Sequence, residues 1–168
     1  MSPLPPARPP VDDEREIRRL IETYARGADR RQPALTASVF TDDGVLQIYS
    51  GDPDEGGTLD RERIGRAEIE TAMGGLARYR VTSHGLAQST IDVDTEGAHA
   101  TSETYCVAHH LTDHDDLTDR ADAASVTDRV MFIRYLDDWA RTADGWRLAR
   151  RRLAVDWIDT RRVDHPTE

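Results

Sequence analysis

Residues Glu14–Arg31, EREIRRLIETYARGADRR, place apolar side chains at Ile17, Leu20, Ile21, Tyr24 and Ala28, the three-and-four spacing of one face of an α-helix. At about 100° per residue these five fall within about 60° of one another, while Arg15, Arg18, Arg19 and Glu22 point elsewhere. A helix with one apolar face needs a layer to cover. Two residues depart from the pattern. Tyr24 carries a hydroxyl on the apolar face, and Asp29 sits on its flank, roughly 100° from the centre, beside Ala25. A helix that brings a phenol and a carboxylate to the rim of an apolar interior is either capped badly or equipped for chemistry.

Outward from this helix the chain changes character on both sides. Met1–Pro10 carries prolines at 3, 5, 6, 9 and 10, which predicts a mobile tail, counted as residues 1–12, with Asp12 or Asp13 capping the helix. Gln32-Pro33 breaks the helix, and Pro33 starts a short second one through Ala34, Leu35 and Val39 to Phe40. Thr41-Asp42-Asp43-Gly44 reads as a turn. Val45, Leu46, Ile48 and Tyr49 read as a strand, followed by a polar, glycine-rich loop from Ser50 to about Asp60. Ile69, Ala72, Met73 and Leu76 mark a third helix, weakened by Gly74-Gly75.

From Val81 the period changes. Val81–Asp94, Ala98–Thr112, Val126–Trp139 and Trp146–Trp157 are extended runs rich in Val, Ile, Thr, Tyr and Trp, separated by turn signals at 94–97, 113–125 and 142–145. Helices first and hairpin-connected strands afterwards give an α+β fold with an antiparallel sheet. With 168 residues and 38% hydrophobic content, one domain over residues 13–160 is expected, followed by a polar tail over 161–168.

Composition removes several functions. All 22 cationic residues are arginine, so Schiff-base catalysis, pyridoxal phosphate and a P-loop lysine are excluded. The net charge is −10 with no basic stripe, which argues against nucleic acid as a partner. No apolar run approaches the ~20 residues of a membrane span, so a cytoplasmic protein with no membrane partner is expected. The single cysteine, Cys106, rules out an internal disulfide, CxxC chemistry and a cysteine zinc cage. His109, His110, Asp113, His114, Asp115 and Asp116 straddle a strand end and an acidic loop and match no ligand spacing, so no metal is expected.

The candidate residues each have two readings. Asp29 lies beside Arg26, Arg30 and Arg31, where an exposed ion pair is worth ~0–1 kcal/mol. His84, between Ser83 and Gly85, reads equally as a strand histidine or as a base poised near neutral pH. Tyr24 is a core tyrosine or a phenol able to polarise a carbonyl, and Tyr49, ending the first strand, is a second candidate of that kind. Alternation sends Arg151 to the face opposite Arg150 and Arg152, where a guanidinium would suit an anionic or carbonyl-bearing ligand. It also places His110 with Ser102, Thr104, Cys106 and Ala108, small residues fit for a cavity wall, and His109 with Tyr105, Val107 and Leu111.

The helix ETYARGADRR, the FTDDG turn, TSHGLAQSTIDVD, ATSETYCVAHHL, RYLDDW and DGWRLARRRLAVDW together resemble the SnoaL-like branch of the nuclear transport factor 2-like superfamily, across nearly all of residues 14–160. The resemblance implies a cone-shaped fold, with N-terminal helices on a strongly curved sheet. It also implies kinship with scytalone dehydratase, hexachlorocyclohexane dehydrochlorinase and bile-acid 7α-dehydratase, which pair an aspartate ending the first helix with a histidine starting a long strand. Asp29 and His84 stand in those places. Tyr24 is similar in spacing to the tyrosine of the bile-acid dehydratase, Arg151 to the pocket arginine of the dehydrochlorinase, and His110 to a second histidine of scytalone dehydratase. The implied function is a cofactor-independent lyase or isomerase of the dehydratase type. Such an enzyme abstracts a carbon-bound proton from a small hydrophobic, steroid- or polyketide-like cyclic substrate and works as a homodimer or homotrimer. The same scaffold also serves non-catalytic ligand binders and small subunits of ring-hydroxylating oxygenases.

Overall fold

The computed structural model describes residues 10–113 and 125–164. The expected N-terminal tail and the acidic turn at 113–125 therefore fall largely outside the described residues. Three helices, α1 (Pro10–Asp29), α2 (Pro33–Ala37) and α3 (Arg66–Gly74), pack on one six-stranded sheet. Its strands are β1 (Phe40–Ser50), β2 (Thr58–Ile64), β3 (Val81–Val93), β4 (His99–Thr112), β5 (Ser125–Thr142) and β6 (Gly145–Asp164), in the order β2-β1-β6-β5-β4-β3. Every neighbouring pair is antiparallel except β1 and β6, which run parallel. That pair closes the chain's first strand onto its last, a long-range contact that local patterning does not announce. Among the described residues, no helix is long and apolar enough to cross a membrane.

The apolar face of α1 is buried as its spacing requires. Ile17, Ile21, Tyr24, Ala25 and Ala28 are all within a few per cent of full burial and join Phe40, Trp139, Trp146 and Leu148 in the core. Removing side chains the size of Ile17 and Ile21 from water supplies about 1.5–3 kcal/mol each and holds the helix on the sheet. The helix begins earlier than expected, because Pro10 sits at its start, where its missing N–H costs nothing. Asp13 lies inside the helix and is buried in an ion pair with Arg141, Oδ2 to Nη2 2.6 Å.

Four other segments depart from the sequence reading. Thr41–Gly44 is not a free turn but part of β1, where pairing to β6 is interrupted between Phe40 and Val45. A Cβ on Gly44 would stand 3.0 Å from Phe40 Cβ and 3.1 Å from the Leu148 carbonyl oxygen, so the glycine there permits close packing. Edge strand β2 occupies Thr58–Ile64 and so takes in the end of the loop expected from Ser50 to about Asp60. All seven of its residues are exposed, and an edge strand without an apolar face carries no period-2 signal. The strand β6 runs through Arg161–Asp164, pairing them with residues 125–128 of β5, so this part of the expected polar tail belongs to the sheet. Beyond Gly74 the third helix tightens into a 3-10 turn at Gly75–Arg78. Irregularities at Leu86/Ser89, Phe132/Ile133 and Asp138/Trp139 bend the long strands, as bulges do.

Candidate active site

The end of α1 is fixed by its backbone and by one side chain. Gln32 N donates to Gly27 O (2.9 Å) and Arg31 N to Ala28 O (3.4 Å), with Arg31 in the left-handed region at φ 56°. This is the hydrogen-bond pattern of a Schellman cap, in which glycine usually occupies the left-handed position. Arg31 occupies it here, and its guanidinium reaches the start of β3. Nη1 donates to Thr82 Oγ1 (2.7 Å) and to Ala28 O (3.1 Å), and Nη2 to Tyr79 O (3.1 Å). Gly27 allows α2 to approach, since a Cβ there would lie 2.9 Å from the backbone nitrogen of Thr36. Helix end and strand start are thereby held together.

Asp29 and His84 are the residues this junction brings into contact. Oδ1 of Asp29 lies 2.6 Å from Nδ1 of His84, and its Oδ2 accepts the His84 backbone N–H at 2.9 Å. Burial pushes the Asp29 carboxyl up. The hydrogen bonds from the His84 ring and backbone, together with the imidazole's charge, outweigh burial and hold the carboxyl below the usual aspartate range. An ionised Asp29 keeps the proton on Nδ1, which leaves Nε2 of His84 as the free lone pair.

His84 opens onto a cavity of about 650 Å³. Buried Tyr24, Leu46, Ala108, Ile133 and Tyr135 form its floor, and Ala72, Met73, Leu76 and Tyr79 cover one side. Ala108 and Ala72 leave the room that larger side chains would fill. His110, on the strand beside β3, stands edge-to-face with His84 at 5.7 Å between ring centroids and packs on Tyr79 at 4.8 Å. Burial, followed by the charge of His84, pushes His110 down to about 4, so it is neutral at physiological pH. Among the described residues its buried Nδ1 has no hydrogen-bond partner. The Tyr24 hydroxyl is 3.9 Å from Met73 Sδ. Burial raises the Tyr24 pKa despite the opposing charge of Arg151, so the phenol keeps its proton and can donate it in a hydrogen bond. Burial also pushes the Cys106 thiol up to about 11, which removes it as a nucleophile near neutral pH.

Residues 9–152 match the SnoaL-like domain family. The chain belongs to the SnoaL-like family. Several solved structures share the fold. A protein from Novosphingobium aromaticivorans provisionally named a scytalone dehydratase is 20% identical with a TM-score of 0.67, over 94% of this chain and 91% of that one. A hexachlorocyclohexane dehydrochlorinase of type 3 from Novosphingobium barchaimii is 12% identical with a TM-score of 0.69, over 89% and 90% of the two chains. ActVI-ORFA from Streptomyces coelicolor is 19% identical with a TM-score of 0.60, over 85% and 96%. No curated protein matches the sequence significantly.

Within this SnoaL-like domain, His84, Tyr24 and His110 line the cavity and Asp29 holds His84 from behind, but two sequence candidates do not reach it. Tyr49 alternates away from Leu46, Ile48 and Ser50, which line the cavity, and its hydroxyl rests 3.4 Å from Gln47 Oε1 on the other face of β1. Arg151 points inward, opposite Arg150 and Arg152, yet it stops beneath the floor. It is fully buried, donates twice to Asp137 (Nε–Oδ1 2.8 Å, Nη2–Oδ2 2.7 Å), and its Cζ lies 4.1 Å from the ring centroid of Tyr24 and 3.9 Å from that of Tyr135. The two phenol rings separate it from the cavity. His109 lies on the opposite sheet face, bonded to Asp128 through Nδ1 at 2.8 Å.

Sequence reading missed Arg31, Tyr79, Tyr135 and Asp137. Alternation along β5 places Tyr135 and Asp137 with Ile133 on the cavity side, a signal that was present. Nothing in the sequence marks Arg31 as left-handed. Among the described residues no group of three or more His, Cys, Asp or Glu side chains is disposed to hold a metal ion.

Proposed function

We propose that this SnoaL-like protein is a lyase or isomerase in which His84, oriented by Asp29, removes a proton from a carbon next to an activating carbonyl of a small cyclic substrate. The observation that carries this reading is the 2.6 Å contact between Asp29 Oδ1 and His84 Nδ1, with the imidazole opening on a cavity whose buried floor is largely apolar. Nε2 takes the carbon-bound proton, and the electron pair of that C–H bond becomes the double bond of an enolate. Asp29 stabilises the imidazolium that results. The Tyr24 phenol donates a hydrogen bond to the oxygen where negative charge develops.

From the enolate two outcomes conserve atoms and electrons. Expulsion of a β-hydroxyl, protonated by the imidazolium as it leaves, gives a conjugated alkene and water. Return of the proton to a different carbon moves the double bond. Either restores neutral His84, and neither needs an electron acceptor. Neutral His110 can accept or donate one hydrogen bond to the substrate, which suits positioning.

The similarity to structures named for a dehydratase and a dehydrochlorinase supports the reaction class, since both names denote eliminations. The test is deuterium incorporation from D₂O at the α-carbon of cyclic ketones and β-hydroxyketones, followed by mass spectrometry. Exchange should depend on His84 and fall by about 10²-fold or more in His84→Ala, the contribution of a positioned base. Equal exchange in both proteins would overturn the assignment.

A further inference from the structure

The charged residues that line the cavity are unbalanced in sign. Besides the histidines they are Asp60, Arg61, Arg63, Arg78 and Arg129, in a chain whose net charge is −10. All four arginines are solvent-exposed while the floor is buried, so they ring the opening. Arg61 and Arg63 lie on β2 opposite Ile48 and Leu46, both of which line the cavity. Arg129 is paired on the neighbouring strand with His110.

Among the described residues the four also lack the carboxylate partners that several other arginines have. Several arginines outside the cavity sit on carboxylates, Arg66 on Asp42, Arg80 on Asp113, Arg134 on Asp52 and Asp156, Arg150 on Asp138, and Arg152 on Asp54, whereas Arg18, Arg31 and Arg147 donate to backbone carbonyls. At the opening, Arg63 donates to the Glu62 backbone carbonyl (2.6 Å), and Arg78 donates to the Tyr79 hydroxyl (2.9 Å) and stacks on its ring. Among the described residues no carboxylate is paired with any of the four. Asp60, the one carboxylate of the lining, accepts from Ser50 Oγ at 2.7 Å. Guanidinium groups that face a common opening and lack acidic partners repel one another, and the repulsion is relieved when an anion sits among them.

We infer that the substrate carries a carboxylate on its apolar body, and that Arg61, Arg63, Arg78 and Arg129 hold this group at the cavity opening while the body reaches His84. The inference rests on reading the cavity as the substrate site. It adds a substrate class to that reading: an apolar cyclic acid, entering body first. A carboxylate anchored outside leaves the floor free for the reacting carbon, which explains how an interior with few polar groups selects an orientation.

The test uses two probes of one shape, naphthalene-2-carboxylate and naphthalene-2-carboxamide, with affinities measured by calorimetry at low and at 0.5 M salt. The carboxylate should bind about tenfold more tightly at low salt, a difference built from several exposed charge-assisted contacts. The ratio should shrink at high salt, where exposed charges are screened. Arg61→Gln/Arg63→Gln and, separately, Arg78→Gln should lower the ratio several-fold while leaving amide binding unchanged. Arg150→Gln, which removes the same charge outside the cavity, should leave it as in wild type. Equal affinities for the two probes, no binding of either at millimolar concentration, or an equal loss in Arg150→Gln would overturn the inference. Because the measurement is binding alone, its outcome is separable from that of the deuterium experiment. Exchange without carboxylate preference removes the arginine site only, and preference without exchange removes the dyad's proposed role only.

Discussion

Asp29 holds His84 twice, by the ring at 2.6 Å and by the backbone N–H at 2.9 Å, so one carboxylate fixes both the tautomer and the place of the imidazole. Its depressed pKa makes it a stabilising anion whose contribution is present above the ordinary aspartate value and is lost as pH falls through its own lower one. In His84→Ala the two ring-dependent contributions disappear while burial remains, so the Asp29 carboxyl should titrate at higher pH. Carbon-detected NMR of the two proteins measures this, and an unchanged titration would mean that the imidazole does not bear on the carboxylate. Asp29→Asn should lower the proposed activity by about 10²-fold or more, and the double variant should be little worse than the worse single one.

His110 gives the protein an acid-sensitive range of its own. Its pKa is pushed down to about 4, below the ordinary histidine value, so the unfolded chain takes up a proton that the folded chain refuses. Stability is therefore full above about pH 6.5 and falls as pH drops toward 4, by on the order of 3 kcal/mol at about 1.4 kcal/mol per pKa unit. Urea unfolding at pH 7.5 and pH 4.5 should show the loss, and His110→Phe should shrink it.

Arg31 joins a strained backbone to a clamp. Arg31→Gly relieves the left-handed conformation, worth about 1 kcal/mol, yet removes the bonds to Thr82 and Tyr79. Its thermal stability should stay close to wild type while the proposed activity falls, because the end of α1 is no longer tied to β3. Arg31→Ala loses the same bonds and keeps the left-handed strain, so it should be the less stable of the two. If Arg31→Gly retains full activity, the clamp does not position the dyad.

The buried pair Asp137–Arg151 should tolerate loss of both partners better than loss of one. Asp137→Leu leaves a guanidinium uncompensated in the interior and should cost about 3–5 kcal/mol. Asp137→Leu with Arg151→Met should recover most of that. Calorimetric unfolding of the three proteins measures it, and equal loss in single and double variants would contradict the argument.

The outer sheet face carries a row of apolar side chains in register. Val107 pairs with Phe132 and Phe132 with Trp157. Phe132 and Trp157 stack at 4.4 Å, while Trp157 is 58% and Tyr105 40% exposed. Burying this row between copies would give the expected homodimer or homotrimer. Light scattering at micromolar concentration should report an oligomer, and Trp157→Asp should shift it toward monomer. A wild-type monomer would remove the expectation.

The sequence by itself determined the elements whose signal is local. The 3.6-residue spacing from Ile17 to Ala28 set the buried face of α1, and the change to period 2 after Val81 set four long strands. Alternation alone separated His110 from His109 and Arg151 from its neighbours, because a side chain's face along a strand follows from its position. The Asp29–His84 pair was legible through likeness to a family, although the two residues are 55 positions apart and no spacing rule connects them.

Tertiary structure decided what depends on which strands become neighbours. The edge strand β2 was invisible because exposed residues on both faces show no alternation, and the parallel pairing of β1 with β6 joins the β1–β2 hairpin to the four later strands. Arg151 could be assigned to the inner face but not to a depth. Whether it reached the cavity or stopped beneath Tyr24 and Tyr135 depended on Asp137, one strand away, meeting its guanidinium first. The four arginines at the opening lie on β2, on β5 and in the turn before β3, so their shared field exists only once the sheet has curved around the cavity.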